Sequence, residues 1–156
     1  MEAPKKGYLF ETDEHRALRE QIRRFAANAI APHAHAWEEA NEFPRELYRE
    51  AAKAGFLGIG YPEELGGNGG DLTHVLVASE EMVLAGKSVG TLVGLGSLGI
   101  AIPPIIKFGN DEQKERFARP ALAGDKISAL GITEPGGGSD VAAVRTKAVR
   151  DGDHYI

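Results

Sequence analysis

Gly131, Ile132, Thr133, Glu134, Pro135, Gly136, Gly137, Gly138, Ser139 and Asp140 follow one another in a single run. Consecutive glycines let several backbone N–H groups point into one concavity, which suits a phosphate or a pyrophosphate. Thr133 and Ser139 add hydroxyls that can donate to phosphate oxygens or to a heteroaromatic ring. The run is not a P-loop, because no lysine follows its last glycine. On this chemistry alone, phosphate binding and an ordinary glycine-rich loop both stay open.

A second glycine pattern, Gly94, Gly96 and Gly99, formally matches the dinucleotide fingerprint. That motif needs a strand before it and a helix opening at its second glycine. Here the glycines sit inside an apolar helical stretch, and Pro103-Pro104 is expected to break the helix required afterwards. Close approach between helices accounts better for such small residues than a NAD-binding Rossmann unit does. The other polar candidates read as structural. His33 and His35 are two apart, so on a helix they point in different directions. His15, His74 and His154 are isolated in sequence, and no metal site is expected. Arg16, Arg19, Arg23 and Arg24 read as the charged outer face of a helix, and Trp37 as a packing residue.

The elements that must position the loop follow from periodicity. Leu18, Ile22, Phe25 and Ala29 place an apolar stripe on a helix over 12–31, which Pro32 disturbs or ends. Further helices are expected over 34–42 and 45–54, with Pro44 in a first turn and Gly55 as a C-terminal cap. Residues 56–71 read as a loop, and Asp71 as the N-cap of a helix over 72–84. A glycine-rich apolar helix over 88–106 ends at Phe108-Gly109, and a polar helix from Asn110 or Asp111 is stopped by Pro120. Beyond Gly124 the composition turns to strand, over 127–133 and 144–149. Asp151-Gly152 signals a hairpin, with a return strand from His154. The expected fold is mainly α: a helical domain over 1–122, then the first strands of an incomplete β-domain over 123–156.

Composition narrows the functional classes. The 156 residues are 42% hydrophobic and 26% charged, ordinary values that exclude collagen-like, disordered and coiled-coil chains. No cysteine is present, so thiol nucleophiles and cysteine–zinc sites are excluded. The net charge of −5, with no basic stripe, argues against nucleic acid. Ser88 to Ile106 carries no charge over 19 residues. Its four glycines and two prolines favour a core helix over a membrane span. The N-terminus, MEAPKKGYLF, lacks the layout of a secretory signal, so a cytoplasmic location is the default, with the mitochondrial matrix as the other setting.

The run Gly131 to Ala143 resembles, position for position, the first signature of the acyl-CoA dehydrogenase family. Tyr61 to Gly67 and Phe108 to Lys114 add matches in the family's order, and Asp151 to Ile156 is similar to a hairpin of its middle sheet. The resemblance covers the whole chain but only the front of a family member. It implies a helical N-terminal domain, a middle β-domain, and a C-terminal helical bundle beyond Ile156. It also implies FAD as cofactor and removal of two hydrogens from an acyl-CoA thioester, with the hydride passing to the flavin. An electron-transfer flavoprotein would accept the electrons, and the full-length protein would be a homo-oligomer in fatty acid metabolism.

Carried over by position, Leu130, Gly131, Ile132, Thr133, Glu134, Pro135, Gly136, Gly137, Gly138 and Ser139 line FAD. Thr133 bonds the flavin ring, and Ser139 also meets the acyl-CoA. Leu130 stands where many members place an aromatic. The family's catalytic glutamate lies in the bundle, so no catalytic residue is assigned in this chain, and Glu134 beside Pro135 is expected to fix the loop instead. An acyl-CoA oxidase or flavin monooxygenase on the same scaffold, or a non-catalytic binding or assembly module, are the competing readings.

Overall fold

The protein is described by a computed structural model over residues 7–156. Most of the N-terminal stretch read above for a secretory signal lies outside those residues. The fold is mainly α. Helix α1 (Asp13–Ala29) buries Ile22 and Ala26, with Ile30 just beyond its end. Helix α4 (Leu72–Gly86) lies parallel to it. His15 meets Thr73 and His74 at one end, and a Cβ at Gly86 would touch Ile30 and Ala26 at the other.

Between these helices, α2 (Ala34–Ala40) ends at Asn41 with a left-handed φ of 54°. Helix α3 (Glu46–Lys53) ends ahead of Gly55, whose φ of 77° lies in the left-handed region that favours glycine. Residues 56–71 form more than a plain loop. Gly60 N–H donates to Gly69 O at 2.7 Å, a 3₁₀ turn spans Glu63–Leu65, and Leu57, Ile59 and Leu65 are buried. Asp71 caps α4 as its sequence suggests, accepting from Thr73 N–H at 2.8 Å. Its carboxyl is held well below the usual carboxylate range by the Thr73 hydroxyl, the His74 ring and these amides.

The apolar stretch forms two helices, α5 (Val89–Gly96) and α6 (Leu98–Phe108), joined at Ser97. Pro103 and Pro104 lie inside α6 without breaking it. The carbonyls that lose a partner there belong to Gly99 and Ile100, which sit on the exposed side of the helix. Val89–Phe108 is long and apolar enough to cross a membrane. In the fold, Leu95, Leu98 and Ile102 anchor it to the core shared with Ile22, Met82 and Leu122.

Helix α7 (Asp111–Gln113), a π-helical turn (Lys114–Ala118) and α8 (Arg119–Leu122) run on as one rod. Pro120 therefore does not stop the polar helix. It lies inside that rod, directly after the π-helical turn, where Arg119 N–H bonds five residues back to Lys114 O.

Beyond Gly124 no residue is fully buried. The expected strands over 127–133 and 144–149 are not formed: a strand needs a neighbour to pair with, and among the described residues only Val149 finds one, exchanging N–H···O bonds of 3.0 Å with Ile156. The hairpin does form. Arg150–Asp151 (β1) pairs antiparallel with His154–Tyr155 (β2). Gly152, with φ 62°, and Asp153 occupy its two central positions, so the turn lies one residue later than an Asp-Gly centre would.

The four arginines of α1 do not share one outer face. Arg16 and Arg24 are exposed, but Arg19 is buried and bridges Glu11 at 2.6 Å, Glu80 at 2.7 Å and Glu81 at 3.0 Å. Burial alone would lower the pKa of Arg19; the three carboxylates outweigh it and raise it further above its usual value. The same contact lowers that of Glu11.

Candidate functional site

The glycine-rich loop leaves the helical body at Ser128, whose carbonyl accepts from Ser97 Oγ at 3.0 Å. Glu134 and Gly137 exchange N–H···O bonds of 3.0 and 3.1 Å, closing a turn around Pro135 and Gly136. The Glu134 carboxylate accepts from Thr146 N–H at 2.7 Å, Arg145 N–H at 3.0 Å and the Thr146 hydroxyl. The Thr146 hydroxyl and these amides lower its pKa. Glu134 thus ties one end of the loop to residues 145–146, and no substrate-facing role is needed to explain it.

That tie gives a pH prediction. A carboxylate with a depressed folded pKa stabilises above its ordinary value near 4.5 and loses that contribution as the pH falls through the folded value. The Arg145 and Thr146 amides are expected to stay protected from exchange at pH 6 and to lose protection on acidification below the ordinary range. Glu134→Ala should remove the protection at every pH. Equal exchange in parent and variant at pH 6 would refute the clamp.

The loop glycines differ from the expected nest in one respect. None of Gly131, Gly136, Gly137 and Gly138 has a positive φ, so the alternating-handed backbone of a nest is not formed. What they leave is room. A Cβ at Gly131, Gly136 or Gly137 would meet nothing within 4 Å, and one at Gly138 would only touch Thr133 Cγ2 at 3.4 Å. Among the described residues, the N–H groups of Gly131, Thr133, Gly136, Gly138 and Ser139 donate to no protein acceptor. Leu130 and Ile132 are exposed beside them. Free donors on an accessible backbone are what a phosphate-bearing aromatic cofactor would require.

A second feature was not read from the sequence. An apolar cleft of about 900 Å³ opens between the 56–62 segment, α4 and the α5–α6 pair. Leu92, Val93, Gly96, Ser97, Ile100 and Pro103 line one wall, and Tyr61 and Leu72 are among those opposite. Its size falls in the range of small-molecule sites. The signal was present in Gly96 and Gly99 beside Val93 and Ile100: the glycines leave a wall of backbone next to exposed apolar side chains. Treating the whole stretch as buried concealed it.

His15 and His74 are not isolated. Their rings stack with centroids 4.1 Å apart and planes 25° from parallel, and with Asp71 they form a cluster of possible ligands. Stacked imidazoles aim their lone pairs along near-parallel lines, whereas a metal must lie in both ring planes. His15 Nδ1 faces the Thr12 N–H and hydroxyl, and its Nε2 lies 2.8 Å from Thr73 Oγ1. The cluster is two helix-start capping boxes packed side by side.

The family described as acyl-CoA dehydrogenase, N-terminal domain, matches residues 12–125. The crystal structure of a probable acyl-CoA dehydrogenase from Mycobacterium abscessus superposes with TM-score 0.87 at 49% identity, over 92% of this chain and 38% of that one. An acyl-CoA dehydrogenase of Bacillus anthracis complexed with FAD gives TM-score 0.81 at 33% identity, over 94% of this chain and 25% of that one. The mitochondrial long-chain specific acyl-CoA dehydrogenase of Sus scrofa is 40% identical over 145 residues, 93% of this chain and 33% of its own length. The chain thus spans well under half the length of the curated relatives it matches. Matched over most of its length in both sequence and fold, the chain belongs to the acyl-CoA dehydrogenase family.

Proposed function

We propose that the chain supplies the front part of the acyl and FAD sites of an FAD-dependent acyl-CoA dehydrogenase. The observation that carries this reading is a juxtaposition: the apolar cleft and the glycine-rich loop meet at the Ser97–Ser128 hydrogen bond. In this reading the cleft takes the acyl chain and excludes water from it. Leu130 to Ser139 hold FAD, with Thr133 donating to the ring and the free loop amides meeting its polar groups. Ser139 stands where cofactor and CoA come together. When bound, FAD supplies the acceptor for the hydride leaving the acyl β-carbon. This chain's residues orient and desolvate, and the base that takes the α proton comes from elsewhere. The loss of burial after Gly124 supports a division into a helical domain over 1–122 and the start of a β-domain over 123–156. An electron-transfer flavoprotein as acceptor, a homo-oligomeric full-length enzyme and a cytoplasmic setting complete the reading.

Titration of the 156-residue chain with acyl-CoAs tests it. Burying a methylene contributes about 0.8 kcal/mol, so affinity is expected to rise up to about fourfold per carbon while the cleft has room. Free CoA binding as tightly as octanoyl-CoA would overturn the assignment of the cleft. The same polypeptide is expected to reduce no dye with any acyl-CoA, since general base catalysis contributes about 10²–10⁴-fold and the carboxylate that lines the cleft among the described residues, Asp71, is engaged in capping α4.

A further inference from the structure

Ser97 takes part in three features at once. It joins α5 to α6, it lines the cleft, and its hydroxyl reaches the Ser128 carbonyl. Between Lys126 and Glu134 that bond is the only hydrogen bond from the chain to the helical body among the described residues. Residues 129–133 are exposed, so no buried side chain shares the task.

The joint itself is lightly held. Ser97 N–H donates to Gly94 O at 3.3 Å and Ile100 N–H to Ser97 O at 3.2 Å, both three-residue bonds of poorer geometry than α-helical ones. Gly96 and Gly99 flank it, and a Cβ on either would meet nothing within 4 Å. The carbonyls on both sides are tied to the core instead, Gly94 O by Tyr48 Oη at 3.1 Å and Leu98 O by Tyr61 Oη at 3.5 Å. Ser97, whose hydroxyl also faces the Tyr48 phenol, is the point where this wall meets the segment that leads into the glycine-rich loop.

We propose that Ser97 is a positioning residue that links occupancy of the cleft to the path of the glycine-rich loop. An acyl chain packed against Val93, Gly96 and Ile100 removes the freedom of the α5–α6 joint. The Ser97–Ser128 bond then carries that restriction to residues 129–133, and so to the Thr133 hydroxyl. The inference rests on the acyl reading of the cleft and adds to it that filling one site prepares the other.

The test uses an acyl probe without a nucleotide, S-octanoyl-N-acetylcysteamine, with the S-acetyl compound as control. The ¹⁵N-labelled chain is titrated while the amides of Leu92 and Ile100 report the cleft and those of Leu130 to Thr133 report the loop. In the parent, the octanoyl probe should move both sets and the acetyl probe neither. In Ser97→Ala the cleft amides should still move, with the loop response reduced several-fold, and Ser97→Thr should restore it. A purely structural serine would lower the melting temperature and leave the loop response intact. That result, or a silent loop in a parent whose cleft amides move, overturns the link alone. If the octanoyl probe moves neither set in the parent, the acyl reading falls and the link with it.

Discussion

Arg19→Ala is expected to destabilise the chain by about 3–5 kcal/mol, the cost of breaking a buried ion pair from one side. Arg19 lies at 8% exposure, and its guanidinium serves Glu11, Glu80 and Glu81 together. Removing it takes from the Glu11 side chain, itself 4% exposed, the cation it pairs with among the described residues. Glu81 keeps Arg23, at 2.9 Å, which limits the damage. For a chain of this size the loss corresponds to a fall in melting temperature of roughly 6–20 °C. Arg16→Ala is the control on the same helix. Its pair with Asp13 is open to water, and such pairs contribute about 0–1 kcal/mol. Arg19→Ala melting within a degree of Arg16→Ala would show that the buried network contributes nothing.

Leu95→Ala should cost a comparable amount, about 2–5 kcal/mol, through lost burial and the cavity left behind. Leu95 is fully buried, packed in the core from the helix that walls the cleft. Val93, two residues earlier, lines the same cleft but is 66% exposed. Val93→Ala should therefore change stability by no more than about 0.5 kcal/mol, as exposed substitutions usually do. It should still weaken octanoyl-CoA binding. Denaturant melts and acyl-CoA titrations on the two variants separate the roles. A Leu95→Ala chain as stable as the parent would mean that α5 is not held by this contact.

Features set by neighbours in sequence were legible. The stripe of α1, the Asp71 cap and the turn at Gly55 each depend on residues within one helical turn, and the glycine-rich run announced its loop by composition. Features set across the chain were not. Arg19 reads as an outer-face residue because its carboxylates at 80 and 81 lie some 60 positions away, a distance at which spacing carries no information. His15 and His74 escaped pairing for the same reason. Ile127 to Thr133 has the composition of a strand, yet composition supplies no partner. Pro103 and Pro104 suggested a break because their cost was judged without knowing that the deprived carbonyls face outward. The cleft was missed because an uncharged helix was taken to be buried on all sides.

The parallel pairing of α1 with α4 also governs the order of events in folding. His15 meets Thr73 across 58 positions, so closing that loop carries an entropy cost on the order of 3–4 kcal/mol before any contact repays it. During synthesis α1 emerges first, and the Met82 and Ala78 side of the core it shares is missing until α4 has been made. Most of a helix's stability in a protein comes from packing its apolar face rather than from propensity. Docking of α1 onto α4 is therefore expected to set the folding rate, and stretching the 56–71 segment is expected to slow refolding much more than it speeds unfolding.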